Sequence, residues 1–187
     1  MRASGLIICK SFRLTAKLND SEDIEGRVQN IAPTVTINPM VEIKVETVIA
    51  APIEKVFDLA RSLKTHTQTT GKTNERIISP TDKDLLELGD EVTFEAKHLG
   101  VRQRLTSKIV QFDRPNSFSD QMVKGAFRSL RHYHQFEQLP DGQTKMTDTL
   151  TFESPLGPIG KIFDHLFLRA YMTRFIQSKS QTLNSIA

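Results

Sequence analysis

The sequence is poor in the residues that support disulfide, thiolate and membrane chemistry. It has a single cysteine, Cys9, no tryptophan and two tyrosines among 187 residues. One cysteine excludes a disulfide framework within the chain and a zinc site built from several thiolates. The longest early apolar run, from Leu6 to Cys9, is far below the roughly 20 residues of a membrane-spanning helix. It is also below the 7–15 residues, roughly, of a signal-peptide core, so we predict no membrane insertion.

An excess of charge of one sign is also missing. The 25 Lys and Arg residues against 22 Asp and Glu residues give a net charge of +3. Domains that bind nucleic acid concentrate basic residues on one face, so we predict no nucleic-acid partner. The sequence instead has eleven phenylalanines and a hydrophobic fraction of 38%, which is ordinary for a globular protein. Its length is typical of one domain with its own core.

Residues 1–39 differ from the rest of the chain. Basic residues precede the first acid, Asp20, and no apolar period persists. We predict a poorly structured extension over 1–39, with a domain over 40–187. The alternatives are an organelle transit peptide, which has a similar basic, Ser-containing start, and translation beginning at Met40. Because no export signal is found and the fold needs no disulfide, the expected localisation is the cytoplasm.

From Met40 the sequence shows clear periodicity. Alternation from Val41 to Glu46 predicts a strand, and Ala51-Pro52 opens a helix, with a short helix or loop at 66–71. Six more strands are predicted at Thr73–Ser79, Glu91–Leu99, Val101–Asp113, Ser117–Gly125, Arg128–Leu139 and Gln143–Glu153. A long helix follows from Ile159 to about Ser185. Its predicted apolar stripe comprises Ile159, Ile162, Phe163, Leu166, Phe167, Ala170 and Phe175.

This order of elements predicts an α+β fold, because the strands form a consecutive run joined by tight turns. The turn at Pro140-Asp141-Gly142 is typical of a hairpin. Seven antiparallel strands must cover one apolar face, and only the final helix is long enough to cover it. A curved sheet wrapped around one helix leaves a cavity, where apolar ligands usually bind.

Several segments are similar to a known family. They are Ala51–Phe57, His66–Gln68 with Thr70-Gly71, Glu95–His98, Arg102–Ile109, Met122–Phe127 and Glu153–Gly157. The sequence from Met40 to Ala187 resembles the START-like, or SRPBCC, superfamily with its helix-grip fold. It is most similar to a bacterial ligand-binding branch that is sometimes labelled cell-division inhibitor or polyketide cyclase/dehydrase-like. The resemblance implies a cavity and leaves the activity open, because the superfamily includes lipid carriers, hormone receptors and cyclases.

Polar residues occur on the apolar faces of four predicted strands. Successive side chains of a strand point to opposite sides, and this alternation places five polar residues inward: His98, Asp120, His132, His134 and Asp148. We expect them to form a polar end of the cavity that holds a ligand head group. A His–Asp pair would satisfy both partners when buried. The alternatives are hydrogen-bonded pairs within the core, or strand ends turned to solvent by a bulge.

Two chemical versions of this cluster remain open. In one, a histidine acts as the general base of an enolisation or cyclisation. In the other, His132 and His134 bind a metal, with His98 or Asp148 as the third ligand. We assign no catalytic residue, metal or cofactor from the sequence. A catalytic nucleophile lacks a candidate, since no motif such as Gly-x-Ser-x-Gly occurs.

Further ligand contacts are predicted from the strands, the final helix and the segment after the first helix. The resemblance makes that segment, with His66 and Thr70, a signature of the branch, close to one cavity mouth. The complete predicted set beyond the five inward polar residues is His66, Thr70, Phe94, Met122, Phe152, Phe163 and Phe167. The simplest interpretation of Phe163 and Phe167 is the core face of the helix, which can also touch ligand.

The sequence therefore predicts a protein that binds or carries a small hydrophobic ligand, such as a lipid, isoprenoid or polyketide. One alternative is a cyclase- or dehydratase-like enzyme that uses the His–Asp pair as acid and base. Another is an interaction module linked to cell division. Its protein partner would dock on the strand face of Arg102, Arg104 and Lys108, which is otherwise a solvated surface.

Overall fold

The computed structural model describes residues 40–98, 100–155, 157, 160 and 163–187. The extension predicted for residues 1–39 lies outside the described residues. So do Leu99 at the end of one predicted strand, and Ile159 and Ile162 in the predicted helix.

The described residues form seven strands and three α-helices. The strands are β1 Val41–Ile49, β2 Arg76–Ile77, β3 Glu91–His98, β4 Val101–Asp113, β5 Ser117–Lys124, β6 Ser129–Gln138 and β7 Thr144–Glu153. The helices are α1 Ile53–Ala60, α2 Leu63–Thr69 and α3 Arg169–Ile186. All strand pairs are antiparallel, in the order β1-β7-β6-β5-β4-β3-β2. The predicted α+β helix-grip fold, a curved seven-stranded sheet with a long C-terminal helix, is confirmed.

Strand β1 shows why the sheet has one covered face. Val41, Ile43 and Val45 are buried, whereas Glu42 and Lys44 between them are exposed. This strand pairs along its length with β7. These three buried side chains pack in one cluster with Met172 and Ile176 of α3, among others. The predicted alternation of β1 is therefore confirmed, and its apolar half holds the C-terminal helix against the sheet.

Helix α1 covers the other end of the sheet. Pro52 stands just before its first turn in an extended conformation. Proline is tolerated at a helix start because an N–H at this point would have no partner within the helix. The ring of Phe57 is fully buried and meets three phenylalanine rings edge to face, at centroid distances of 5.4–5.5 Å. Those rings belong to Phe112, Phe118 and Phe136, from β4, β5 and β6.

The strand predicted at Thr73–Ser79 is mostly wrong. The structure has a 3₁₀ turn over Gly71–Thr73 and only two strand residues, Arg76–Ile77. The turn ends at Asn74 with φ of 48°, a left-handed conformation that a strand does not contain. Strand pairing with β3 therefore begins only after the chain has turned.

The apolar stripe predicted for the last helix is also wrong in part. Leu166 is 77% exposed, and Phe163, Phe167 and Ala170 are exposed as well. A π-helical turn over Asp164–Leu168 precedes α3. Because a π-helical turn holds more residues than an α-helical turn, it rotates the apolar face of the helix. The buried residues of α3 are Met172, Ile176, Ser180 and Leu183. Among the described residues, no helix has the length and apolar character required to cross a membrane.

Candidate functional site

A cavity of about 400 Å³ lies among the inner faces of the strands, helix α2 and helix α3. Most of its walls are apolar, with Val92 and Phe94 from β3, Leu130 from β6 and Met172 from α3 among the lining residues. Pockets for small molecules in proteins are typically about 300–1,000 Å³ and mainly apolar, with a few polar groups. The cavity therefore has the size and the walls of a ligand pocket.

Four of the five inward polar residues line this cavity. They are His98, Asp120, His132 and His134. The fifth, Asp148, is buried directly behind the two histidines of β6. The predicted alternation holds although β4 and β5 slip in register near Ile109, because Asp120 still pairs with His132 across the strands.

Asp148 and the two β6 histidines form a buried network. Asp148 Oδ1 is 3.1 Å from His132 Nε2 and 2.7 Å from His134 Nδ1. The second contact is short, but its angle is unfavourable for a hydrogen bond. Ser180 of α3 donates to the other carboxylate oxygen at 3.0 Å. One aspartate thus lies against both imidazoles, and it orients His132 through a hydrogen bond.

Asp120 extends the network toward the cavity. Its Oδ1 lies 3.7 Å from His134 Nε2, and its Oδ2 accepts a hydrogen bond of 2.7 Å from Ser107 Oγ. The ring of His134 stacks on Phe118 at 4.4 Å and lies 3.9 Å from the ring of His132. These contacts hold His134 between two carboxylates.

The pKa values of the two histidines in the network are shifted in opposite directions. Burial lowers the pKa of His132, and the neighbouring His134 lowers it further. Burial also opposes the charged form of His134, but Asp120 and Asp148 outweigh it and raise the pKa of this imidazole. Burial would raise the pKa of both carboxyls, yet the histidines hold the pKa of Asp120 and Asp148 well below the usual range. The network therefore favours a proton on His134 over a proton on His132.

A second polar group in the lining is centred on His66 of α2. Its Nε2 is 2.9 Å from Glu75 Oε1, and its Nδ1 is 3.3 Å from Lys179 Nζ. Burial and the Lys179 ammonium lower the pKa of His66, and a lysine can only donate. The neutral ring therefore donates to Glu75 and accepts from Lys179. Burial would raise the pKa of Glu75, but the hydrogen bond from His66 and the positive groups nearby, Lys179 among them, together outweigh it and lower that pKa. The His66 ring also stacks on Phe94 at 4.3 Å.

His98 forms its own contacts with helix α3. Its Nδ1 is 2.9 Å from the Tyr171 hydroxyl, and its ring meets Phe175 edge to face at 5.4 Å. Burial lowers the pKa of His98. The structure thus links His98 to α3 and does not bring it into the His132–Asp148 pair.

Of the seven contacts predicted beyond the five inward polar residues, four lie outside the lining, whereas Phe163, which is 43% exposed, lines the cavity with His66 and Phe94. Thr70 donates to the His66 carbonyl at 2.8 Å and closes helix α2. Phe152 is fully buried against Phe127. Met122 is half-buried and packs against the β1–α3 core. Phe167 is 48% exposed, since the π-helical turn directs it outward onto Phe163.

Sequence reasoning missed several polar residues of the site, namely Ser107, Glu75, Tyr171 and Lys179. Lys179 is not part of the apolar stripe predicted for the last helix, but it contacts His66 and lines the cavity. Its position three residues after Ile176 and seven after Met172 is a signal for the buried face. Glu75 had no comparable signal, because the strand predicted around it does not form there.

The basic face of β4 is paired with acidic residues. Arg102 and Arg104 both donate to Glu95 of β3, and Lys108 donates to Glu91. Arg102 and Arg104 remain largely exposed, with side-chain exposures of 69% and 70%. A protein partner at this face stays a prediction.

Comparisons with known proteins place the fold among START-like and related proteins. Among solved structures, the protein TTHA0849 from Thermus thermophilus is 17% identical with a TM-score of 0.59, covering 79% of this chain and 99% of its own. The ginseng major latex-like protein 151 from Panax ginseng is 14% identical with a TM-score of 0.59, covering 78% and 96%. A START superfamily protein from Mycobacterium smegmatis is 13% identical with a TM-score of 0.59, covering 78% and 94%. No curated protein matches the sequence.

The fold and the cavity together define a START-like, hydrophobic ligand-binding fold. The model of the family described as polyketide cyclase / dehydrase and lipid transport matches residues 40–185. The chain belongs to this family, and the resemblance drawn from the sequence segments is confirmed.

Proposed function

We propose that the protein binds a small hydrophobic ligand with a polar head group in the cavity. The observation that carries this proposal is an apolar cavity of about 400 Å³ whose polar lining groups are already held by buried partners. Apolar walls supply affinity at about 25 cal/mol per Å² of ligand surface removed from water. Polar groups that are fixed before binding orient the ligand at little further entropic cost.

The lining near α3 supports a head group that carries an oxygen acceptor. Lys179 has three N–H donors, and the His66 ring accepts one of them. A ligand hydroxyl, carbonyl or carboxylate oxygen in the cavity can accept from the others. Phe94 and Ile176 line the same cavity as Lys179, and a charged hydrogen bond is strengthened in surroundings of low polarity.

Native mass spectrometry of the gently purified full chain tests ligand binding directly. We expect a stoichiometric mass increment that organic extraction removes and identifies as an apolar compound with an oxygen-bearing head. A titration with the fluorescent fatty acid parinaric acid provides a second measurement on the extracted protein. A protein that purifies without a ligand and also shows no saturable binding of this probe would overturn the proposal.

The Lys179→Met variant tests the head-group assignment, since methionine keeps an unbranched apolar chain without the charge. We expect parinaric acid to bind about tenfold more weakly, because a hydrogen bond to a charged group contributes about 1.5–3 kcal/mol. A neutral apolar probe of similar size should bind unchanged. Lys97→Met, at an exposed position of β3, is the matched control and should bind both probes normally. Equal loss of both probes in Lys179→Met would contradict the role of Lys179.

A second candidate function is acid–base catalysis on the bound ligand. It is favoured by the placement of His132 and His134, which face the cavity while Asp148 lies behind them. An orienting carboxylate behind an imidazole is a common arrangement of a general base. Incubation of the extracted ligand with the protein in D₂O tests this function. Deuterium uptake at carbon that is lost in His132→Gln supports it, and unchanged ligand argues for binding alone.

A further inference from the structure

We propose that Asp120, His132 and His134 form a binding site for a divalent transition-metal ion, which is a separate property from ligand carriage. Asp120 of β5 lies opposite His132 of β6, and His134 is two residues further along the same strand face. One ligand atom from each residue lies within 4.8 Å of the others. Metal–ligand bonds of about 2.1 Å place two ligand atoms on one ion at most about 4.2 Å apart. A small rotation of the side chains would therefore bring all three ligand atoms within bonding distance of one ion.

The residues around these three side chains match the outer layer of a metal site. A histidine ligand usually donates its other ring nitrogen to a carboxylate, which fixes the tautomer. Asp148 takes this position for His132, at 3.1 Å from His132 Nε2, and it also lies 2.7 Å from His134 Nδ1, whose ring must turn before it can donate. Ser107 holds Asp120 Oδ2 at 2.7 Å, whereas Asp120 Oδ1 lies 3.7 Å from His134 Nε2.

The charge of the cluster fits a dication. Two carboxylates, Asp120 and Asp148, are placed around two imidazoles in a buried region. With both imidazoles neutral, a divalent ion balances the two negative charges, and burial of charge is tolerated only when it is compensated.

The donor set also indicates the type of ion and its role. Two imidazole nitrogens and one carboxylate oxygen suit Zn²⁺, Fe²⁺ or Co²⁺ rather than Ca²⁺ or Mg²⁺. Asp120, His132 and His134 all line the cavity. The remaining coordination positions of the ion would therefore face a bound ligand. The third protein ligand is Asp120, where the sequence pattern had pointed to His98 or Asp148.

Calorimetric titration of the chelator-treated full chain with ZnCl₂ tests the site. We expect one equivalent of Zn²⁺ to bind, and His132→Gln and Asp120→Asn to weaken this binding by at least about tenfold. His98→Gln is the matched control, because it removes another histidine of the same cavity outside the set. Its Zn²⁺ affinity should equal that of the wild type. Titration with CoCl₂ should give an intense visible absorption, as low-coordinate Co²⁺ does, that is absent in Asp120→Asn.

Circular dichroism of each variant without metal distinguishes a lost ligand from a lost fold. We expect a substitution at Asp120 to disturb the fold less than one at His132, because the Asp120 side chain is 22% exposed whereas that of His132 is 9% exposed. Absence of stoichiometric Zn²⁺ binding would overturn the proposal. So would Zn²⁺ binding that a folded Asp120→Asn and a folded His132→Gln both retain, since the ion would then lie elsewhere.

Discussion

Glu95 illustrates how a single charged residue is accommodated on the outer side of the sheet. Its side chain is only 4% exposed, although it lies on the opposite face of β3 from the cavity residue Phe94. Arg76, Arg102 and Arg104 surround it, with hydrogen bonds of 2.9 Å from Arg76 Nε and Arg104 Nε and 3.0 Å from Arg102. Arginine is suited to this role because its planar group donates several hydrogen bonds to one carboxylate.

This arrangement makes the stability of the sheet sensitive to acid. The hydrogen bonds from Arg76 and then Arg104 lower the pKa of Glu95 from 4.5 to about 2. A folded-state pKa below the unfolded value stabilises the fold above the unfolded pKa, and this contribution is lost as pH falls toward the folded pKa. We therefore expect Glu95→Gln to be less stable than the wild type above pH 4.5, with the difference shrinking toward about pH 2. Urea unfolding over this pH range measures it.

Glu91→Gln is the control for this experiment, because Glu91 lies on the same strand and has an exposed ion pair with Lys108. Exposed ion pairs contribute little, so its stability should follow that of the wild type at every pH. A difference between Glu95→Gln and the wild type that stays constant from pH 4.5 to about pH 2 would contradict the account.

At the scale of elements, the direction in which side chains face was more predictable on the strands than on the last helix. Strand alternation has a fixed period of two, so the inward direction of His132 and His134 followed from Leu130 and Phe136 on the same strand. An aspartate partner was predicted, but which aspartate pairs with which histidine could not be, because it depends on the register that sets His134 opposite Asp148. In the last helix, one π-helical turn between Phe163 and Met172 changes which residues face the core. The local sequence pattern does not indicate this turn.

The corrected helix face gives a direct stability prediction. Ile176 is 3% exposed and belongs to the core cluster that joins α3 to β1. We expect Ile176→Ala to lower the free energy of unfolding by about 2–4 kcal/mol, because it removes apolar contacts and leaves a cavity. Leu166→Ala, at a position that is 77% exposed, should change it by less than about 0.5 kcal/mol. Urea unfolding of both variants measures the difference, and comparable losses would place the apolar stripe where the sequence pattern had put it.

At the scale of the whole molecule, the hydrophobic core of the described residues is divided into separate clusters. One buried cluster lies under α1, a second joins β1 to α3, and a small third cluster contains Leu63, Val92 and Phe94. Members of all three clusters line the cavity. A sheet that curves around one helix cannot close its inner face completely, because close packing would require side chains larger than those at positions such as Ala96. The cavity is thus a consequence of the fold and of small residues on its inner wall.

A larger residue at Ala96 should therefore fill the binding space. Ala96 is 7% exposed and lines the cavity. We expect Ala96→Phe to lose parinaric acid binding while its thermal midpoint stays near that of the wild type, since the ring enters existing space. In a closely packed core, the same insertion would cost about 1–3 kcal/mol. Ala170→Phe, at an exposed position of α3, is the control and should bind the probe normally. Probe binding by a folded Ala96→Phe at wild-type affinity would show that the ligand occupies another part of the molecule.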